Sequence, residues 1–171
     1  MKMKFALITA VLAQMASSNM VVASLSSDTS AGITTDAKTN GYSLTVCITN
    51  SILEIGDDIN VIATLKNIST NSVTIVISKP MVQFISEVKY HGKEAEKTEY
   101  AKSIQSGNVS SLKKVLAPNE QITESFPLSK FYRFDRAGEY EVTISRWIRA
   151  HNESAWKTII APPLKVTVNK P

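Results

Sequence analysis

From Gly41 onward the apolar positions recur every second residue. Tyr42, Leu44, Val46 and Ile48 alternate with Ser43, Thr45, Cys47 and Thr49. That period predicts a half-buried strand, with Cys47 on the face opposite the apolar set. Ile59, Val61, Ala63 and Leu65 form a second inward set after the turn Glu54-Ile55-Gly56-Asp57-Asp58, and Val73, Ile75 and Ile77 a third. Asn67 to Ser72 is a loop of turn formers, and Pro80 ends the third run because proline lacks the ladder N–H. Val82, Phe84, Val88 and Tyr90 predict a fourth strand closed by His91-Gly92-Lys93. Glu94 to Ile104 reads either as a short helix or as an edge strand with its charges in water. An excursion at the sheet edge is expected, where charges discourage aggregation.

The second half repeats the pattern. Leu112, Val115 and Leu116 precede the turn Ala117-Pro118-Asn119-Glu120. Ile122, Phe126 and Leu128 follow, then Phe131, Tyr132 and Phe134. Asp135-Arg136-Ala137-Gly138-Glu139-Tyr140 is a polar turn whose tyrosine opens the strand Tyr140, Val142, Ile144, Ile148. This is how a tyrosine corner reads, with the hydroxyl bonding back to upstream backbone. Thr158 to Ile160 and Leu164 to Val168 form a last strand interrupted at Pro162-Pro163. About seven short strands with turns every 8–12 residues predict an all-β, antiparallel, immunoglobulin-like Greek-key sandwich over residues 41–171.

The N-terminus has a different pattern. Lys2 and Lys4 precede an apolar run from Phe5 to Ala16, and Val21 and Ala23 fit a small-residue cleavage site. A signal peptide over 1–23 is expected, and with it a secreted or periplasmic location. The run falls short of the roughly 20 apolar residues of a spanning helix. Ser24 to Asn40 is polar and reads as a flexible leader. Removing 23 of the 171 residues leaves 148, enough for one core without disulfides. The single cysteine, Cys47, excludes an intramolecular disulfide.

Net charge is +4; without Lys2 and Lys4, 17 basic residues face 15 acidic ones. That balance gives no ground for a nucleic-acid partner.

Asp57 to Ser69, a strand followed by Asn-x-Ser, resembles a segment of exported bacterial immunoglobulin-like domains. Leu116-Ala117-Pro118-Asn119-Glu120 looks like their Leu-x-Pro-Gly-Glu turn, with Asn119 in the glycine position. Phe84 to Lys93 resembles the middle strand and turn of the bacterial intracellular proteinase inhibitor family. Phe126 to Phe134, with the corner after it, is similar to propeptide domains of deuterolysin-type metallopeptidases. These resemblances, over about Tyr42 to Val168, imply the sandwich fold and carry over no residue role.

Catalytic constellations are missing from the sequence. His91 and His151 fall in predicted turns without metal-ligand spacing, and neither a nucleophile elbow nor a phosphate loop occurs. Asp57, Asp58 and Glu54 gather at a turn that can meet Asp135, but their spacing matches no calcium loop, so no metal or cofactor is expected. Three triplets, beginning at Asn67, Asn108 and Asn152, match the glycosylation sequon. The sharpest candidate is the last hairpin, where Arg146, Trp147, Arg149, His151 and Trp156 stand near one tip. Trp and Arg dominate interaction hot spots. The expectation is a non-enzymatic exported domain that binds a protein partner through these residues. Inhibition of an extracellular peptidase and carbohydrate binding are the alternatives.

Overall fold

The computed structural model describes residues 32–39, 41–77, 83–104, 112–148 and 157–171. The chain is an all-β sandwich. Four strands, β1 (Ile33–Thr39), β2 (Tyr42–Ile48), β4 (Asn60–Asn67) and β9 (Gln121–Pro127), pair antiparallel in the order β1-β2-β4-β9. The facing sheet runs β3-β12-β10-β6-β7, formed by β3 (Ile52–Glu54), β12 (Leu164–Asn169), β10 (Gly138–Ile148), β6 (Phe84–Tyr90) and β7 (Lys93–Glu94). β11 (Lys157–Ile160) also pairs with β10. After β2 the chain crosses between sheets, and β3 joins β12 in parallel.

Alternation builds the core. Leu44, Val46, Ile48, Val61, Ala63 and Leu65 from one sheet meet Phe84, Val88, Tyr140, Val142, Ile144, Val166 and Val168 from the other, all buried. Removing this apolar area from water is the main stabilising contribution. Phe84 and Phe126 stack across the gap with centroids 6.1 Å apart.

The expected corner is present. The Tyr140 hydroxyl donates to the Arg136 carbonyl at 3.1 Å and accepts from the Arg136 N–H at 3.3 Å. The Tyr90 hydroxyl donates to the Ala137 carbonyl at 2.9 Å, so two tyrosines tie down one loop. Asn119 takes a φ of 66° and the Glu120 N–H reaches the Ala117 carbonyl at 3.0 Å. With Pro118 before it, this is the type II turn that normally asks for glycine. At Pro162-Pro163, four residue steps from Ile160 to Leu164 oppose three on β10, from Ser145 to Val142. The extra residue is a bulge where proline has no N–H to pair.

Two expectations are corrected. The polar stretch before Asn40 is not wholly a leader: Ile33–Thr39 pairs in full register with β2. Ile33 and Ala37 lean on the core, and ladder pairing makes up for the sparse apolar content. The Glu94–Ile104 segment is the excursion expected at the sheet edge: the two-residue β7 is the last strand of its sheet, and a short helix, α1 (Glu99–Ile104), follows. Thr98 caps that helix, its hydroxyl accepting from the Ala101 N–H at 3.2 Å.

The second correction concerns Asn67, expected in a loop. It is fully buried at the end of β4. Its amide donates to the carbonyls of Asn71, Leu116 and Ala117 at 2.8–3.1 Å. Its side-chain oxygen accepts from the Ser69 N–H and hydroxyl. Asn67 thereby joins the β4–β9 pair to a second two-stranded ladder, β5 (Val73–Ile77) with β8 (Leu112–Leu116). A sequon whose asparagine nitrogen is buried and fully bonded offers no acceptor in the folded protein.

Candidate functional site

The inward set of β10 is Tyr140, Val142, Ile144, Arg146 and Ile148, and the outward set includes Thr143, Ser145 and Trp147. Trp147 accordingly lies on the outer face of its sheet, 52% exposed. Arg146 does not share that surface. It is 1% exposed, with its guanidinium carbon 4.6 Å from the Phe84 ring centre. The sequence reading placed Arg146 at a contact tip because of its charge; strand parity takes it inward. Burial pushes its guanidinium down to about 10, against an opposing pull from Glu124. Arg149, His151 and Trp156 lie outside the described residues.

The neighbours of Trp147 are set by register. Ser145 pairs with Ile85 on one side and Ile160 on the other. Directly opposed residues in an antiparallel pair share a face. The small Ser145 thus sits between two isoleucines, with Trp147 one pleat further along opposite Thr158. Ile85 is 38% and Ile160 59% exposed. These three side chains form an apolar patch on a face that elsewhere carries Glu87, Lys89, Glu139 and Glu141.

The patch continues into a slot of about 180 Å³ between β6 and α1, lined by Ile85, Ala101, Ile104, Phe131 and Tyr132, with Lys97 at its edge. The Tyr132 hydroxyl is held by the Ser86 carbonyl at 2.6 Å, and burial raises its phenol above the usual range. Lys97 pairs with Glu94 at 2.8 Å, a contact that raises its ammonium. Rigid apolar walls with a charged rim suit the docking of an aliphatic or aromatic side chain. Sequence reasoning missed Ile85 and Ile160. The signal was there, since Ile85 follows the inward Phe84 and must point out, but a lone outward isoleucine is commonplace.

Two other depressions flank the tyrosine corner. One of about 400 Å³ is lined by Tyr90, His91, Lys93, Glu96, Arg133 and Arg136 among others. The second, about 450 Å³, brings Asp57, Asp58 and Asp135 to one groove, as the sequence suggested. Its carboxylates are in structural use: Asp58 accepts from the Ser129 hydroxyl and Asp57 from the Glu54 N–H. Among the described residues no group of three acidic, histidine or cysteine side chains is placed to hold a metal ion. No helix among them is long and apolar enough to cross a membrane.

No family model matches the chain, and no curated protein matches it. Among solved structures it is similar to a β-glucosidase from Listeria innocua in complex with glucose, with 16% identity and a TM-score of 0.41. That alignment covers 74% of this chain and 16% of the glucosidase, so the chain spans about a sixth of its length.

Proposed function

We propose that this chain is an exported, non-enzymatic interaction domain that binds a protein partner through the outer face of β6, β10 and β11. The observation that carries the reading is the contiguous apolar surface of Ile85, Trp147 and Ile160, running into the α1 slot. Exposed apolar patches with polar rims mark contact surfaces, and a tryptophan near the centre is the residue type that dominates hot spots. The opposite sheet has a different outer face, where Thr45 bonds Asp36 and Thr64 meets Thr123 in a hydroxyl ladder. Export rests on the basic and apolar N-terminal pattern.

The test is capture. Immobilised chain is exposed to the extracellular and envelope fraction of its source, beside Trp147→Ala/Ile85→Glu and a control, Ser125→Lys, on the other sheet. Loss of one stoichiometric protein with the double variant alone supports the reading; equal capture by all three sinks it. N-terminal sequencing of protein recovered from outside the cell tests export, with Ser24 expected as the first residue.

A further inference from the structure

The edges of the two facing sheets are guarded except at β11. β7 is two residues long and both are charged, and β3 is three residues long and ends on Glu54. On the facing sheet, β1 carries Asp36 and Lys38, while β9 carries Glu124 and ends at Pro127. Shortness, charge and proline keep sheet edges from pairing with other chains. β11 has Lys157 at its start and then Thr158, Ile159 and Ile160, all uncharged and β-branched.

One bond fixes the direction of its backbone groups. The Ala161 N–H donates to the Ile144 carbonyl at 2.9 Å, one step beyond the Ser145–Ile160 pair. Antiparallel ladders bond at alternate pairs, so Ile159 bonds Arg146, and the N–H and C=O of Thr158 and Ile160 turn away from β10. Both residues are exposed. β3 covers this side of the sheet only from Thr167 to Asn169. Among the described residues, no backbone bond from outside the β10 ladder reaches Thr158 or Ile160. Pro162 and Pro163 have no N–H, so the open ladder ends at Ile160.

This open set matches itself under a two-fold axis. With the axis at Ile159, Thr158 stands opposite Ile160 of a second copy, and Ile160 opposite its Thr158. Both become bonded pairs, and four N–H···O bonds form with each donor on an acceptor. Opposed β-branched side chains add cross-strand contact. Charge permits the approach. Lys157 falls opposite Ala161 of the second copy, and the two Lys157 residues stand about 14 Å apart along the strands, beyond the Debye length at roughly 0.1 M salt.

We propose that the β11 edge is a self-association site, where two copies of this chain pair antiparallel about Ile159 and join their sheets. The pairing sets Ile85, Ser145 and Ile160 in one row with Thr158 and Trp147 of the second copy, so two apolar patches become one surface. The contact is made by backbone groups and does not depend on whether that surface binds a partner.

The test compares the full 15N-labelled chain at about 10 µM and about 1 mM, the span of weak self-association. Sedimentation should move from monomer to dimer. The Thr158 and Ile160 amides should exchange at least about tenfold more slowly in the concentrated sample, while the Ile159 amide, already bonded to β10, changes little. Ile160→Pro removes an outward N–H and no bond to β10, and should stay monomeric. A monomer at both concentrations overturns the proposal. So does a dimer whose Thr158 and Ile160 amides exchange as fast as the monomer's, or a folded Ile160→Pro that dimerises like wild type. Protection of these amides only beside a captured protein also overturns it, and assigns the edge to that protein. The exchange readout uses the wild-type chain and decides the matter even if Ile160→Pro does not fold.

Discussion

Gly138 lies against Tyr90: a Cβ built on the glycine would stand 3.0 Å from Tyr90 Cε2 and 3.2 Å from its hydroxyl oxygen. The glycine also holds a φ of 141°, in a region that side chains rarely adopt. It lets the loop before β10 close down until Tyr90 and Tyr140 can each bond its carbonyls. Gly138→Ala should therefore cost about 1–3 kcal/mol, from backbone strain and displacement of the Tyr90 ring. Urea midpoints give the measure, and an unchanged midpoint would show that the loop relaxes freely.

Tyr140 supplies the second tie. In Tyr140→Phe the ring still packs between Tyr90 and Phe134, with centroids 4.8 and 4.9 Å away. Only the hydroxyl is lost, leaving the Arg136 carbonyl and N–H without this partner. The expected cost is about 1–3 kcal/mol at unchanged m-value. A loss near zero would mean that water replaces the hydroxyl.

Asn67 concentrates several bonds in one buried side chain. Asn67→Ala should destabilise by about 2–4 kcal/mol, as expected when a buried network loses its hub. Asn67→Asp should cost a similar amount, because a carboxylate cannot donate to the three carbonyls. Expression through a eukaryotic secretory pathway adds a second check: peptide mapping of folded protein should find Asn67 unmodified.

Much of this frame was readable from parity and turn chemistry. Tyr140 after a Gly-containing polar turn announced the corner, Asn119 stood in the glycine position of a Leu-x-Pro-Gly-Glu-like turn, and the alternation of Tyr140, Val142, Ile144 and Ile148 set the two faces of their strand. The failures share a cause. Arg146 was judged by its charge, although the same alternation placed it inward with Ile144 and Ile148. Ile33–Thr39 lacks apolar content, so its pairing depends on the edge that β2 offers rather than on its own composition. Asn67 looked like a loop residue because a hub that bonds across fifty residues leaves no local pattern.

Arg146→Met should raise stability at neutral pH, by about 1–4 kcal/mol, since a flexible apolar side chain replaces a buried charge. The pH dependence has a defined sign. Arg146 is a base whose value in the fold, about 10, lies well below the ordinary guanidinium range. The penalty is full below pH 10 and shrinks as pH rises between these values, where the unfolded chain binds more protons than the native one. Tyr132 and Tyr140, raised by burial, lose stabilisation above pH 10 in both proteins and cancel in the comparison. The gap between wild type and Arg146→Met should therefore narrow from pH 9 to 11; a constant gap would argue that the guanidinium is solvated.

The central claim concerns the surface around Trp147. Capture of a partner by wild-type chain and by Trp147→Ala/Ile85→Glu, with circular dichroism and urea midpoints taken on the same samples, tests it most directly. The account predicts that the double variant folds, with a stability change under about 1.5 kcal/mol because both side chains are partly exposed already. It predicts at the same time that capture falls at least about tenfold, a loss of about 1.4 kcal/mol of binding energy. A folded double variant that captures the same protein as the wild type, in the same amount, would contradict it.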